Sequence, residues 1–186
     1  MKLDHRRALV MAASFLIAAL LAPLHARALT GEGEAWFGPS LANLNALEGG
    51  SNWGPGLQAG ALLELTDFWR IAGGLEASYH FADSEREIPA HFVYGGFLGL
   101  RYALDVFQYV PFVGLALTAY PNRPPRTLDQ TGFDLGAKLT IGVDWRRSRS
   151  WSFGALTEIH LALSEPSEFP IYSTINLHFA YHFRLF

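Results

Sequence analysis

The chain has 186 residues, a formal charge of −3 and no cysteine, which excludes disulfides and cysteine-based metal centres. At this length one domain is the default, and a mildly acidic chain without a basic stripe argues against a nucleic-acid partner. Charged residues are 17% of the chain and aromatics 14%.

The first 28 residues read as a secretory signal. Lys2, Arg6 and Arg7 precede an apolar run from Ala8 to Ala22, and Ala26-Arg27-Ala28 is an A-x-A cleavage site. Cleavage there removes four cations and one anion and takes the formal charge from −3 to −6. The mature domain is then residues 29–186. No later apolar run is long enough for a transmembrane helix.

Period-two alternation recurs along the mature chain, so alternate side chains fall on opposite faces of strands. The first segment, Glu32 to Leu41, sets Ala35 and Phe37 against Glu34 and Trp36, and Pro39 marks its end. Ala42 to Pro55 is rich in glycine and asparagine and reads as a loop. The second strand, Gly56 to Thr66, sets Leu57, Ala59, Ala61 and Leu63 against Gln58, Gly60, Leu62 and Glu64; the third, Arg70 to Phe81, sets Ile71, Leu75, Ala77 and Tyr79 against Arg70, Glu76, Ser78 and His80. After a charged loop comes His91 to Leu104, with Phe92, Tyr94, Leu98 and Leu100 opposite Gly95, Phe97 and Arg101. The fifth strand spans Tyr109 to Tyr120, and a proline-rich loop follows.

The sixth, Gly132 to Trp145, has the clearest pattern. Phe133, Leu135, Ala137, Leu139, Ile141, Val143 and Trp145 form one wholly apolar face. Asp134, Lys138, Thr140 and Asp144 share the other with three glycines. A helix would scatter these charges around its circumference. Trp151 to Leu163 and Ile171 to Leu185 complete a set of eight. Short connections after Thr66, Leu104 and Trp145 alternate with longer ones after Leu41, Phe81, Tyr120 and Leu163. These features predict an all-β, eight-stranded, antiparallel up-and-down transmembrane barrel, with both termini and the short turns in the periplasm.

The small, charged face suits a lumen just wide enough for side chains. The apolar face is graded, with aromatics near the strand ends: Tyr79, Phe81, Phe92, Tyr94, Phe133, Trp145, Trp151, Phe153, Tyr181 and Phe183. Such rings mark the two interfaces of a hydrocarbon band.

The signal peptide, the eight alternating segments, Pro111-Phe112-Val113-Gly114 and the aromatic C-terminal strand FAYHFRLF resemble the small outer-membrane barrels of the OmpA/OmpX-like and opacity-protein-like kind. The resemblance covers the whole mature chain. It implies a monomer in the outer membrane of a Gram-negative bacterium, in contact with its lipids and lipopolysaccharide. It also implies delivery by the barrel-assembly machinery, which would read a C-terminal signal among Phe179, Tyr181, Phe183 and Phe186. Phe186 departs from the family pattern, falling on the parity opposite to Tyr181 and Phe183.

Glu64, Glu76, Arg101, Lys138, Asp144, Glu158 and Arg184 share the inward parity and form a candidate ionic network in the lumen. Depth along the strands suggests Glu64, Glu76 and Glu158 as partners of Arg101 and Lys138. Buried charges must be paired or hydrated, so the network reads as a plug that holds the barrel's register. The alternative is a gate in a narrow channel for ions or small solutes. A third reading, a lipid A-modifying enzyme, follows from barrels of this kind that are deacylases or palmitoyltransferases. It needs a serine nucleophile beside a histidine base. His160, Glu158 and Ser164 are candidates, but the sequence reads His-Leu-Ala-Leu-Ser and His160 points inward. No cofactor or metal is expected, because His178 and His182 lie four residues apart on one strand, about 13 Å. Arg123 and Arg126 could meet lipopolysaccharide phosphates, although solvated loop charges are the plainer reading, as they are for the turn arginines Arg146, Arg147 and Arg149.

Overall fold

The computed structural model describes residues 31–46, 50–82, 90–104, 108–121, 134–163 and 171–185. Eight strands follow in chain order: β1 (Glu32–Ala46), β2 (Gly50–Glu64), β3 (Trp69–His80), β4 (His91–Ala103), β5 (Tyr109–Tyr120), β6 (Asp134–Arg146), β7 (Trp151–Ala162) and β8 (Ile171–Arg184). Each pairs antiparallel with its sequence neighbours, and β8 returns to β1 to close the barrel. Closure leaves no free edge and pairs the backbone polar groups between strands, as a barrel surrounded by lipid requires.

The alternation sorts the side chains. Leu57, Leu75, Leu98, Leu115, Ile141, Ile159, Ile175 and Leu177 point outward and are exposed. The opposite parity is buried and polar: Glu34, Gln58, Arg70, Glu76, Arg101, Lys138, Asp144, Glu158, His160 and His178 all face the lumen. This is the inverse of a soluble barrel, in which carbon fills the centre and charge meets water.

One expected loop is strand. Residues 42–55 complete β1 and open β2, with Ala42 opposite Gly54 and Leu44 opposite Asn52. Only residues 47–49 separate the two strands, so this connection is short and not one of the long ones. β1 also runs past Pro39. Its ladder to β8 omits Gly38 and Pro39 but keeps register, from Phe37 opposite Phe179 to Ser40 opposite Asn176. Proline offers no N–H to a ladder, yet pairing on both sides carries the strand through. Small residues are required here: a side chain at Gly54 would run into the Tyr79 carbonyl on β3. Inward, Ala42 and Leu44 pack with Val93, Tyr120 and Tyr172.

At the other end the turns are tight. Thr66 Oγ1 accepts hydrogen bonds from Phe68 N (3.3 Å) and Trp69 N (3.0 Å). Ser148 Oγ does the same for Ser150 N (3.3 Å) and Trp151 N (3.1 Å). Such hydroxyls reproduce a backbone turn locally. Residues 1–28, expected to be a signal peptide, and Arg123, Arg126, Phe133, Ser164 and Phe186 lie outside the described residues.

Candidate functional site in the barrel lumen

Among the described residues the lumen holds two ionic clusters. In the central one, Lys138 on β6 places Nζ 3.1 Å from Glu76 on β3 and 3.0 Å from Glu158 on β7. Its side chain is 1% exposed, and its ammonium lies 3.2 Å from the centroid of the Phe97 ring. Glu158 also accepts hydrogen bonds from Gln58 (2.5 Å), Thr174 (2.8 Å), Asn176 (3.2 Å) and Thr140 (3.3 Å). Glu76 accepts from Gln58 (3.1 Å) and from the Tyr120 hydroxyl. His160 Nδ1 stands 3.5 Å from Glu76. A buried carboxylate is tolerated when a cation and several donors face it, and both glutamates meet that condition.

From Ser78 a polar chain runs toward the end of β3. Its hydroxyl pairs with Tyr172 OH (2.9 Å) and His80 Nε2 (3.0 Å), and the His80 ring stacks on His91.

The second cluster lies nearer the termini. Glu34 on β1 has Arg70 at 3.9 Å and His182 at 3.7 Å, and Arg70 is 3.8 Å from Glu64. Asp144 on β6 has Arg101 at 3.8 Å and His178 Nε2 at 2.7 Å. Apart from the last, these separations exceed hydrogen-bond length. Trp36, Leu62, Ala72 and Ala180, with Phe97, pack as an apolar layer between the clusters. Trp36 contacts Phe97 on one side and His178 on the other. Ala103, Val110, Phe112 and Leu156 form a further apolar group, and Arg101 lies over the Phe112 ring.

The residues singled out in the sequence therefore divide. Glu76, Lys138 and Glu158 meet. Arg101 pairs with Asp144 rather than with a glutamate, and the partner of Glu64 is Arg70. Arg184 joins neither cluster. Its side chain is 80% exposed and faces Glu32 at 3.5 Å, because the end of β8 carries it past the lumen onto the rim. Sequence reasoning placed Glu34, Gln58 and Arg70 on the inward face without assigning them to the network. Their parity was the available signal. Tyr120 and Tyr172 offered less, since each stands at a strand end.

Of the girdle residues, Tyr79, Phe81, Phe92, Tyr94, Trp145, Trp151, Phe153 and Tyr181 are exposed, and Phe183 is half-buried. Phe81 lies just beyond β3. Phe179 is half-buried under contacts with Phe37, Trp151 and Phe153.

A closed eight-stranded antiparallel barrel with an apolar outside and buried polar side chains within is the fold of the small transmembrane barrels of outer membranes. No protein-family model matches the sequence, and neither does any curated protein. Solved structures do. The chain is similar to Neisserial surface protein A (TM-score 0.58, 13% identity, 83% of this chain and 99% of that one). It is also similar to Ail, the attachment invasion locus protein of Yersinia pestis (0.56, 12%, 82% and 99%), and to the outer membrane protein OprG of Pseudomonas aeruginosa (0.54, 10%, 84% and 98%). At such identities the likeness is one of fold.

Proposed function

We propose that this chain is an outer-membrane protein of a Gram-negative bacterium, exported by the signal in residues 1–28. Its role is structural or surface-directed, and its lumen is plugged. The observation that carries the reading is Lys138, buried between two glutamates and stacked on Phe97, with an apolar layer beneath it. Moving a solvated ion past that point requires breaking a buried ion pair and displacing packed carbon, both costly. In this reading the exposed rings near the strand ends anchor the barrel at the two interfaces. The longer connections face outward, where lipopolysaccharide and external partners are met. The aromatic end of β8, at Phe179, Tyr181 and Phe183, is what the assembly machinery engages. No catalytic step is assigned, and unchanged lipid A mass spectra on expression are the expected result.

Two measurements test it. The outer-membrane fraction should show heat-modifiable gel migration, which reports an inserted, closed barrel. The purified barrel in a planar bilayer should show no regular conductance steps. Steady single-channel steps would replace the plug with a narrow channel.

A further inference from the structure

The second lumen cluster contains a ligand set for a divalent metal ion. Glu34, Asp144 and His178 each offer one ligand atom, and these atoms lie within 4.8 Å of one another. They come from β1, β6 and β8, so barrel closure brings them together. Glu34 is the telling residue. Its side chain is 4% exposed, and neither carboxylate oxygen receives a hydrogen bond among the described residues. The Nδ1 atom of His178 is likewise without a hydrogen-bond partner among them. Glu34 bears a desolvation cost that metal coordination would offset, and the ligand atom of His178 would be Nε2, which faces Asp144 at 2.7 Å.

The central cluster is the internal control. Glu76, Glu158 and His160 make a similar triad, also within 4.8 Å. There the Lys138 ammonium lies at 3.0 and 3.1 Å and does the work of a cation. Around Glu34 and Asp144 the guanidinium groups stand off at 3.8–3.9 Å. Gly154 belongs to the same arrangement: any side chain there would collide with Asp144 Oδ1 and the His178 ring. A cavity of about 10 Å³, lined by Glu34, Glu64, Arg70, Arg146 and His182 among others, adjoins Glu34 at the end that carries the termini.

We propose that Glu34, Asp144 and His178 bind one divalent first-row transition-metal ion, of the Zn²⁺ or Mn²⁺ class. Two carboxylates and one imidazole suit such ions better than Mg²⁺. Three protein ligands leave further coordination positions to water. The ion would take the place of the hydrogen between His178 Nε2 and Asp144 Oδ1, and the neutral imidazole would then carry its hydrogen on Nδ1. His182 Nδ1 stands 3.7 Å from the Glu34 carboxylate, but His182 is not one of the three residues whose ligand atoms converge. Arg70 and Arg101 repel the ion and hold its affinity below that of an all-anionic site. The proposal does not depend on the role assigned above.

The test uses the folded barrel in detergent and Co²⁺ as a visible probe. Wild-type protein should take up one Co²⁺ per chain with d–d absorbance, and Zn²⁺ but not Mg²⁺ should displace it. Glu34→Gln and His178→Gln should each abolish the absorbance while keeping heat-modifiable migration. A wild-type protein without absorbance overturns the proposal. So does a signal that survives Glu34→Gln and is lost in His80→Gln, because the ion is then at the other end of the lumen. If the variants do not fold, the wild-type protein decides: Zn²⁺ should raise its thermal midpoint by roughly 5 °C, and an unchanged midpoint overturns the site.

Discussion

The two lumen clusters hold similar groups in different states of satisfaction. In the central one a lysine ammonium touches both carboxylates, and hydroxyl and amide donors supply the remaining hydrogen bonds. Nearer the termini, Arg70 stands 3.9 Å from Glu34 and Arg101 3.8 Å from Asp144. The difference arises from where each cation is rooted. Lys138 on β6 lies between Glu158 on the neighbouring β7 and Glu76 on β3. Arg70 and Arg101 sit opposite one another on β3 and β4, and each serves a different wall. The central cluster is closed by its own lysine, and the looser one is where the proposed ion would sit.

Removing Lys138 should break this comparison most severely. Lys138→Ala leaves two buried carboxylates without their cation and should cost about 3–5 kcal/mol, read as a lower thermal midpoint in detergent. An unchanged midpoint would count against a packed ionic centre. The same variant sharpens the contrast, because Glu76, Glu158 and His160 then resemble the triad of Glu34, Asp144 and His178, and a second Co²⁺ per chain is the expected outcome.

Gly154→Ala should come next. Its methyl group collides with Asp144 and His178, and overpacking of this kind costs about 1–3 kcal/mol. It should weaken Co²⁺ uptake without removing any ligand. Wild-type uptake in this variant would mean that the two side chains do not act together. The smallest effect should come from Arg184→Ala. An exposed pair with Glu32 is worth about 0–1 kcal/mol, so the melting midpoint should stay within error and fall no further at high salt.

Much of the barrel was legible in the chain. Leu139, Ile141 and Val143 alternate with Lys138, Thr140 and Gly142, which alone assigns a strand and its two faces. Eight such stretches with short turns between several of them imply closure by hairpins. Legibility failed where composition and pairing disagreed. Residues 42–55 have the glycines and asparagines of a loop, yet β8 on one side and β3 on the other hold 42–46 and 50–55 in the sheet. Local propensity in strands yields readily to such context.

The lumen partners were harder to read, for a geometric reason. Parity is a local property, repeated every two residues, so each inward charge announces itself. Depth is not local, because it depends on strand tilt and stagger, which only the closed barrel sets. Gln58 reaches Glu158 across 100 residues of sequence, and Lys138 reaches Glu76 across 62. The sequence by itself determined which side chains face inward and that they would need partners. Tertiary structure decided that Lys138 bridges two glutamates, that Arg184 misses the lumen, and that Glu34 meets Asp144 and His178, because those meetings exist only once β8 has joined β1.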